Sequence, residues 1–331
     1  MVLWADFTTF VSWSLHELHT EAYMNLALTG SLGHIGRPLT EELVRKGHRV
    51  TVISSKPERR QEIETLGARA AIGSVTDGDF LSRTFRGADA VYTMLPPGDY
   101  TDPGLDLMAK VRQIGNAYAR AIEAAGVKRV VHLSSIGAHL EKGSGLIILH
   151  REMERILGKL QNAAVTFMRP VGFYYNLYGY VEAIKRQGVI AANFGEEDRA
   201  EWVSPVDIAA AVAEELTAPL PDRSAENGAA RAVRYVASDE LTCSETARIL
   251  GEAIGKPDLK WIIVPDAQMR AGMVAAGIQP SIAAGLVEMY AAHHSGALGE
   301  DYYRNRPPLG KVKMRDFARE FAAAFARSGV R

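Results

Sequence analysis

The stretch "NLALTGSLGHIGRPLTEELVRKGHRVTVISS", residues 25–55, is the sequence feature that most constrains the fold. It contains a short apolar run, then Gly30, Gly33 and Gly36, then a helical pattern and a second apolar run. This order predicts a strand, a glycine-rich turn, a helix and a second strand parallel to the first. At such a turn, backbone N–H groups and the positive end of the helix dipole can bind a pyrophosphate. Glycine leaves room there for the turn, the phosphate and the packing of helix on strand.

Strand and helix patterns alternate without interruption as far as residue 170. Six apolar strand patterns rich in Val and Ile end with "AVTFMRP", and helical patterns between them cover residues 35–46, 58–66, 79–85, 107–125 and 145–160. Apolar strands alternating with helices are typical of a parallel sheet covered on both faces. We therefore predict an α/β fold, a Rossmann-type doubly wound parallel sheet, over residues 24–170.

The pattern changes after residue 170. "RYVAS", "KWIIVP" and helical patterns at 244–255, 267–276, 282–293 and 312–327 indicate a smaller C-terminal α/β part. We expect residues 171–331 to form this substrate-binding part. Whether some of its strands return to the main sheet is left open. Residues 1–23 lack the basic start and long apolar stretch of a signal peptide. We interpret them as a misassigned start or loose arm; a short amphipathic helix packed on the body is the alternative.

Composition narrows the classes of function. A net charge of −1 disfavours a general nucleic-acid binder, which usually carries a basic excess. A single cysteine, Cys243, excludes an internal disulfide and a cysteine-based zinc site, and no metal site is expected. No apolar run approaches the roughly 20 residues of a membrane span. We expect a cytoplasmic protein that acts on a small molecule, as a monomer or homodimer, without nucleic-acid or membrane partners.

The end of the second strand indicates which dinucleotide is preferred. NAD-binding proteins usually place a carboxylate there for the ribose 2′-hydroxyl. This chain has Ser54, Ser55 and Lys56, followed by Arg59 and Arg60. Hydroxyl groups and nearby cations suit a 2′-phosphate, so we predict NADP(H), with NAD(H) as the alternative. The arginines could instead form an ordinary solvated helix start.

Several segments together resemble the NmrA-like family, an atypical short-chain dehydrogenase/reductase group that includes NAD(P)H:quinone oxidoreductases, azoreductase-like enzymes and non-catalytic redox sensors. The segments are "TGSLGHIG", "GARAAIGSVTD", "GADAVYTMLPP", "AIEAAGVKRVVHLSS", "MRPVGFYYNL" and "WVSPVDIAAAV". The resemblance implies cofactor contacts at Gly30, Ser31, Leu32, Gly33, His34, Ile35, Gly36, Ser54, Ser55, Lys56, Asp77, Met94, Leu95, Pro96, Ser134, His150 and Phe173. Ser74 stands where the family commonly has an Asp beside the adenine. The resemblance also implies a structural role for Asp207, as a helix cap or brace.

The proton-donating pair of the wider superfamily is missing. Reductases of that superfamily use a Tyr and a Lys four residues later. If Glu154 corresponds to the family's helix glutamate, Leu146 stands at the Tyr position and His150 at the Lys position. His150 could bind the ribose or donate a proton, which makes it the weak catalytic candidate. The alternative is an ordinary helix histidine that meets Glu154 at i+4.

A missing Tyr does not exclude reduction of an electron-poor acceptor, because holding nicotinamide and acceptor face to face is a positioning task. The stretch "GFYYNLYGY" offers flat side chains, and we name Tyr174 and Tyr178 as candidate substrate contacts. The alternative is that these rings are core. We predict an NAD(P)H-dependent oxidoreductase that reduces a quinone-like or aromatic acceptor, with a non-catalytic redox sensor as the alternative. His293 and His294 are interpreted as a solvated helix end.

Overall fold

The structure is a computed structural model that describes residues 23–220 and 230–327. The predicted leader therefore lies outside the described residues except for Tyr23. The strands of the described chain are β1 (Asn25–Leu28), β2 (Arg49–Ser54), β3 (Arg69–Ile72), β4 (Ala90–Met94), β5 (Arg129–Leu133), β6 (Ala164–Pro170), β7 (Gly172–Phe173), β8 (Val189–Ala192), β9 (Arg199–Val203), β10 (Arg231–Val236), β11 (Asp239–Thr242) and β12 (Lys260–Ile263).

The central sheet has seven strands in the order β10-β6-β5-β4-β1-β2-β3. Each neighbouring pair is parallel; β1, for example, pairs Leu26 with Val50 of β2 and with Ala90 of β4. The chain moves outward from β1 to β3 and then returns to β4 on the other side of β1. The strand order thus reverses between β1 and β4, where open α/β sheets bind their ligands. This topology confirms the predicted doubly wound parallel sheet.

Helices cover both faces of the sheet. The helices of the described chain are α1 (Gly36–Arg45), α2 (Arg60–Thr65), α3 (Gly78–Phe85), α4 (Leu107–Ala125), α5 (Ile148–Leu157), α6 (Val181–Gln187), α7 (Pro205–Thr217), α8 (Cys243–Ala253), α9 (Asp266–Ala275), α10 (Pro280–His294), α11 (Glu300–Arg304) and α12 (Met314–Arg327), and only some of them pack on the sheet. One core cluster combines the sheet with the buried residues of α1 and α7, and a second combines it with those of α3, α4 and α5. Because both faces are covered, the strands are apolar rather than alternating.

The second half of the chain builds around a third core cluster, which contains Trp202, Trp261 and Phe317. Its strands form a three-stranded sheet, β11-β9-β7, and a pair, β12-β8. A 3-10 turn, Tyr174–Tyr180, joins β7 to α6. Two elements from this half belong to the first body, since β10 extends the central sheet beside β6 and α7 packs on α1. The boundary at residue 170 stays a prediction.

Asp207 braces the two halves. Its carboxylate accepts hydrogen bonds from the Ser238 hydroxyl at 2.6 Å and from the backbone N–H groups of Lys311 and Val312 at 3.1 and 3.0 Å. The N-cap of α7 is Ser204, whose hydroxyl accepts from Val206 N at 3.2 Å. Asp207 is thus a brace rather than a cap. In the parts of the chain that the structure describes, no helix is both long and apolar enough to cross a bilayer.

Candidate functional site

A cavity of about 710 Å³ extends from the glycine turn after β1, past the ends of β4, β5 and β6, to helices α9 and α10. Its wall near the turn is built from the central sheet, and its far wall from the second half of the chain. The lining residues at the sheet end include Gly30, Gly33, His34, Ile35, Gly36, Met94, Leu95, Pro97, Ser134, Ser135 and His150. One continuous space therefore joins the turn to the far wall.

The three glycines of the turn meet different surroundings. A Cβ on Gly30, whose φ is +90°, would lie 2.3 Å from Met94 Sδ, and one on Gly36 would lie 2.1 Å from the Ser31 carbonyl oxygen. Gly33 is exposed, and a Cβ there would meet only the Gly30 oxygen, at 3.4 Å. Gly30 and Gly36 are thus needed for packing, whereas the free space at Gly33 faces the cavity.

Helix α1 presents an uncapped N-terminus to this turn. The N-cap residue, Ile35, provides no side-chain hydrogen bond, and the first turn contains no acidic residue. The positive dipole end of the helix is then open to an anion, although the Arg37 N–H already donates to the Gly33 oxygen at 3.0 Å and Pro38 has no N–H. Together with the space at Gly33, this arrangement fits a pyrophosphate, as the sequence predicted.

The predicted adenosine-end residues lie beyond the cavity wall and fall into two groups. Ser54 is buried; its hydroxyl accepts from the Ser31 hydroxyl at 3.0 Å and from Lys56 N at 3.2 Å, which fastens the end of β2 to the glycine turn. Ser55 and Lys56 are exposed, and Lys56 forms no ion pair within residues 23–220 and 230–327. Lys56 is therefore free to meet a phosphate.

Arg37 is a candidate that the sequence reasoning missed. It lies one residue after the last glycine, and both its guanidinium and that of Arg59 bond to the Glu62 carboxylate. The Arg59 guanidinium holds the pKa of Glu62 below its usual value. Two cations are thus held beside the end of β2. The basic residue directly after "GHIG" was the sequence sign that could have identified Arg37.

The remaining predicted cofactor residues are spread over several environments. Met94 and Leu95 line the cavity, but Pro97 rather than Pro96 stands in its wall. Leu32 is a core residue. Asp77 caps α3 by accepting from Phe80 N at 2.9 Å and lies outside the wall. The structure therefore gives Asp77 a helix-capping role, and its cofactor contact stays a prediction.

Ser134 lines the cavity just after β5 and is held by a buried network. Its hydroxyl donates to Glu154 Oε1 at 2.6 Å. Arg169 binds the same carboxylate through Nε and an Nη, at 2.9 and 2.7 Å, and also meets Tyr235 and Asp301 at 3.2 Å. The Glu154 carboxylate is held in place by two hydrogen bonds from Arg169 and accepts the Ser134 hydroxyl, so the orientation of that hydroxyl is fixed.

His150 faces the same stretch of cavity from α5. Its Nδ1 atom is buried and has no hydrogen-bond partner among the described residues, so the i+4 pairing with Glu154 considered above is not formed. Burial lowers the pKa of His150 to about 4, although the Glu154 charge opposes this shift. The ring is therefore neutral near pH 7 and can exchange hydrogen bonds, but it is not an imidazolium acid.

Leu146, which the family resemblance places at the Tyr position, packs against α10. A Cβ on Gly285 would lie 2.7 Å from Leu146 Cδ2, and one on Gly145 would lie 2.0 Å from the Gly285 oxygen. The helix backbone thus packs directly on the turn that carries Leu146. Substituting a bulkier Tyr for Leu146 would require α10 to move.

The far half of the cavity is apolar and rich in aromatic rings. Its wall contains Phe173, Tyr175, Tyr180, Phe194, Trp202, Tyr290, Met269, Met273 and Met289. Helix α9 has no buried residue. Only Met269 and Met273, which lie one turn apart and line the cavity, are partly buried, and the other residues of the helix are exposed. Methionine and aromatic walls accommodate flat ligands of varied outline.

The candidate substrate tyrosines need correction. Tyr174 is buried, stacks on Phe317 and donates its hydroxyl to Asp239 at 2.8 Å; Tyr178 stacks on Phe321. Neither lines the cavity. Tyr174 belongs to the core of the second half and Tyr178 packs against that core, because neighbours on the tight 3-10 turn point in different directions. Their neighbours Tyr175 and Tyr180 line the cavity and replace them as candidates.

The interpretation of the histidine pair as a solvated helix end holds for only one of the two. His294 is exposed, and its Nδ1 lies 2.7 Å from Asp198 Oδ2. His293 instead lines the cavity; its Nε2 is buried without a partner among the described residues. Burial lowers the pKa of His293, with the nearby Glu201 charge opposing the shift. The His294 ring therefore points to solvent, and the His293 ring points into the cavity.

A family model described as NAD(P)H-binding matches residues 30–219, more than half of the chain. The chain belongs to this NAD(P)H-binding family. The match begins at the first glycine of the turn and ends after α7, so it covers the dinucleotide end of the cavity. It confirms the family resemblance drawn from the sequence.

Two curated relatives match most of this chain. A (4-alkanoyl-5-oxo-2,5-dihydrofuran-3-yl)methyl phosphate reductase of Streptomyces griseus is 26% identical over 303 residues, 91% of this chain and 99% of the relative. An NAD(P)H azoreductase of Xenophilus azovorans is 25% identical over 272 residues, 80% of this chain and 86% of the relative. Among solved structures, Citrobacter sp. triphenylmethane reductase complexed with NADP(H) has a TM-score of 0.71 at 20% identity, over 89% of this chain and 99% of that one. This structural likeness shows the shared fold.

Proposed function

We propose that this chain is an NADP(H)-dependent oxidoreductase that reduces a small, flat, electron-poor acceptor by direct hydride transfer. The single observation that carries the proposal is the continuity of the cavity. It runs from the glycine turn, at the uncapped N-terminus of α1, to the aromatic far wall. A dinucleotide held at the turn would direct its other end past Ser134 and His150 toward that wall. The acceptor would then lie in the same cavity.

The nicotinamide, when bound, supplies a hydride to the acceptor. The residues of this chain bind and orient the two reactants and exclude water. The network of Glu154 and Arg169 fixes the hydroxyl of Ser134 beside the reaction space. The rings of Phe173 and Tyr175, whose centroids are 5.1 Å apart, present flat surfaces on the acceptor side.

The protonation state of His150 restricts the acceptor class. A histidine with a pKa of about 4 is neutral at pH 7 and cannot supply an imidazolium proton, and Leu146 has no proton to give. The reduced acceptor must then delocalise its charge, take a proton from water or need none. Quinones and azo compounds meet this requirement, whereas simple ketones do not.

The preference for NADP(H) over NAD(H) is supported by cations at the end of β2. Lys56 is exposed and forms no ion pair with any residue that the structure describes, and Arg37 and Arg59 share Glu62 beside it. A 2′-phosphate could accept hydrogen bonds from Lys56 and draw one guanidinium from Glu62. NAD(H), which lacks that phosphate, would gain nothing from these groups.

The names of the relatives agree with reduction in general but not with one substrate. Azo compounds are acted on by one relative, and a phosphate-bearing furanone by another. The cavity wall, as far as the described residues form it, contains no Lys or Arg that could pair with a substrate phosphate. We therefore favour an uncharged or cationic aromatic acceptor, used in the cytoplasm by a monomer or homodimer.

The decisive test is turnover. Purified protein should oxidise NADPH when menadione is added, at a rate that follows enzyme concentration. The competing proposal, a dinucleotide-binding regulator, is favoured by the absence of a proton-donating pair. Calorimetric binding of NADPH without oxidation by menadione, an azo dye or a cationic dye would support the regulator and contradict the enzyme.

A further inference from the structure

Two glutamates face each other across the β9–β11 ladder, and among the described residues only one of them has a cationic partner within 4.0 Å. Glu201 of β9 is paired in register with Glu240 of β11, so the two side chains lie on the same face. Two consecutive tyrosines donate hydrogen bonds to these carboxylates: Tyr302 donates to Glu240 at 2.6 Å, and Tyr303 donates to Glu201. Arg306 additionally binds both oxygens of Glu240.

Glu201 is the one of the pair that lines the cavity. It is only 6% exposed, and within residues 23–220 and 230–327 no Lys or Arg lies within 4.0 Å of its carboxylate. A nearby cation, Arg199, lies 5.7 Å from the centroid of the Tyr303 ring and hydrogen-bonds the Tyr303 hydroxyl rather than Glu201, and it is exposed and outside the wall. A buried carboxylate without a cation costs stability, so its retention beside an open cavity points to a ligand that pairs with it.

Nothing else in the far wall offsets this charge. Among the described lining residues Glu201 is the only carboxylate, and no lining residue is Lys or Arg. His293 next to it has a lowered pKa because of burial. Much of the remaining surface is aromatic rings and methionines, and the electron-rich faces of aromatic rings attract cations rather than anions.

We propose that Glu201 selects flat aromatic acceptors that carry a delocalised positive charge over anionic ones of the same size. The inference rests on the proposed function and names its substrate class. Hydride transfer to such a cation balances without a further proton: the cation gains the hydride and becomes a neutral leuco compound, and NADPH becomes NADP⁺. A cationic acceptor would therefore need no acid at the positions of Leu146 and His150.

The test compares two three-ring acceptors of opposite charge, methylene blue and resorufin, under anaerobic conditions with the non-enzymatic rate subtracted. The wild-type protein should prefer methylene blue in kcat/KM by at least about tenfold, the effect of 1.4 kcal/mol of transition-state stabilisation. Glu201→Gln keeps the shape of the side chain and should reduce this ratio by about tenfold or more. An equal ratio for wild type and Glu201→Gln would overturn the proposal.

Three further measurements keep the result specific. Glu197→Gln removes an exposed carboxylate outside the wall and should leave the ratio unchanged. Tyr303→Phe removes the hydroxyl that donates to Glu201 and leaves the carboxylate, so it should keep the preference for the cation. If Glu201→Gln does not fold, equal kcat/KM values for the two dyes with the wild-type protein, or loss of the preference in Tyr303→Phe, would still overturn the proposal. Equilibrium dialysis of methylene blue without NADPH gives a readout independent of turnover. Dye binding that Glu201→Gln weakens would uphold the charge selection even if no acceptor oxidised NADPH, in which case only the proposed function would fail.

Discussion

The imidazole ring of His34 stacks on the phenol ring of Tyr175, with centroids 4.6 Å apart and an interplanar angle of 22°. His34 belongs to the glycine turn, and Tyr175 to the 3-10 turn of the second half. Both line the cavity. The stack is therefore a direct contact between the dinucleotide end and the acceptor end, at the place where a cofactor would pass from one to the other.

The first prediction concerns this stack. Tyr175→Ala removes the ring that would contact the acceptor, and should raise KM for menadione by roughly fivefold. The reason is that an aromatic pair between Tyr175 and the acceptor would contribute about 1 kcal/mol beyond its buried area. Tyr175→Phe keeps the ring and should retain KM within about twofold. Steady-state kinetics at saturating NADPH provides the measurement. If both variants lose the same amount, the hydroxyl rather than the ring is what matters.

The second prediction separates the two roles of glycine in the turn. Gly36→Ala places a Cβ 2.1 Å from the Ser31 oxygen and should lower the thermal midpoint of unfolding by several degrees, for a cost of about 1–3 kcal/mol. Gly33→Ala has a contact no closer than 3.4 Å and should fold normally, but calorimetry should show NADPH binding weakened by about tenfold or more. Normal NADPH affinity in a stable Gly33→Ala protein would contradict the phosphate site.

The third prediction concerns dinucleotide choice. Lys56→Glu puts a negative charge where the 2′-phosphate is expected and should weaken NADPH by about 10- to 100-fold, with NADH affected less than about threefold. Arg60→Glu is the matched control, because Arg60 is exposed and pairs with Glu64 at 3.5 Å. Titration of the two dinucleotides by fluorescence compares these affinities. Equal losses for both dinucleotides would remove the 2′-phosphate argument.

The fourth prediction is the contribution of His150 to the pH dependence of stability. Its pKa is about 4 in the folded protein, against 6.5 unfolded, so the unfolded chain binds more protons between these values. Stability therefore rises with pH in this window and is lost as pH falls below about 6.5. Between pH 7.5 and 5 the loss due to His150 should be about 2 kcal/mol.

His150→Gln is the variant that isolates this contribution. Urea unfolding at pH 7.5 and 5 should show a smaller loss for the variant than for the wild type, by that amount. His132 is a second buried histidine, with a pKa lowered to about 3 by burial, and its share should persist in the variant. The same pH slope in both proteins would mean that His150 is not buried as neutral imidazole.

Much of the fold followed from local patterns in the sequence. The strands up to residue 170 and the helices between them lie close to the predicted ranges, because apolar periodicity and glycine spacing report which face of each element is buried. The glycine turn could be assigned for the same reason. The second half was harder to assign: periodicity did not predict α6, α7, β8 or β9, since short elements and an alanine-rich helix give weak periodicity.

The sequence by itself therefore determined the parallel sheet and the dinucleotide turn, both of which depend on residues near one another in the chain, whereas the loss of the Tyr and Lys pair stays a prediction from the family resemblance. Only the tertiary structure decided that Tyr175 rather than Tyr174 faces the cavity, and that His293 turns inward. It also placed Glu201 in the far wall without the cation that Glu240 has. These features arise where segments distant in sequence meet, and no local pattern records the direction of a side chain on a tight turn or the partner it lacks.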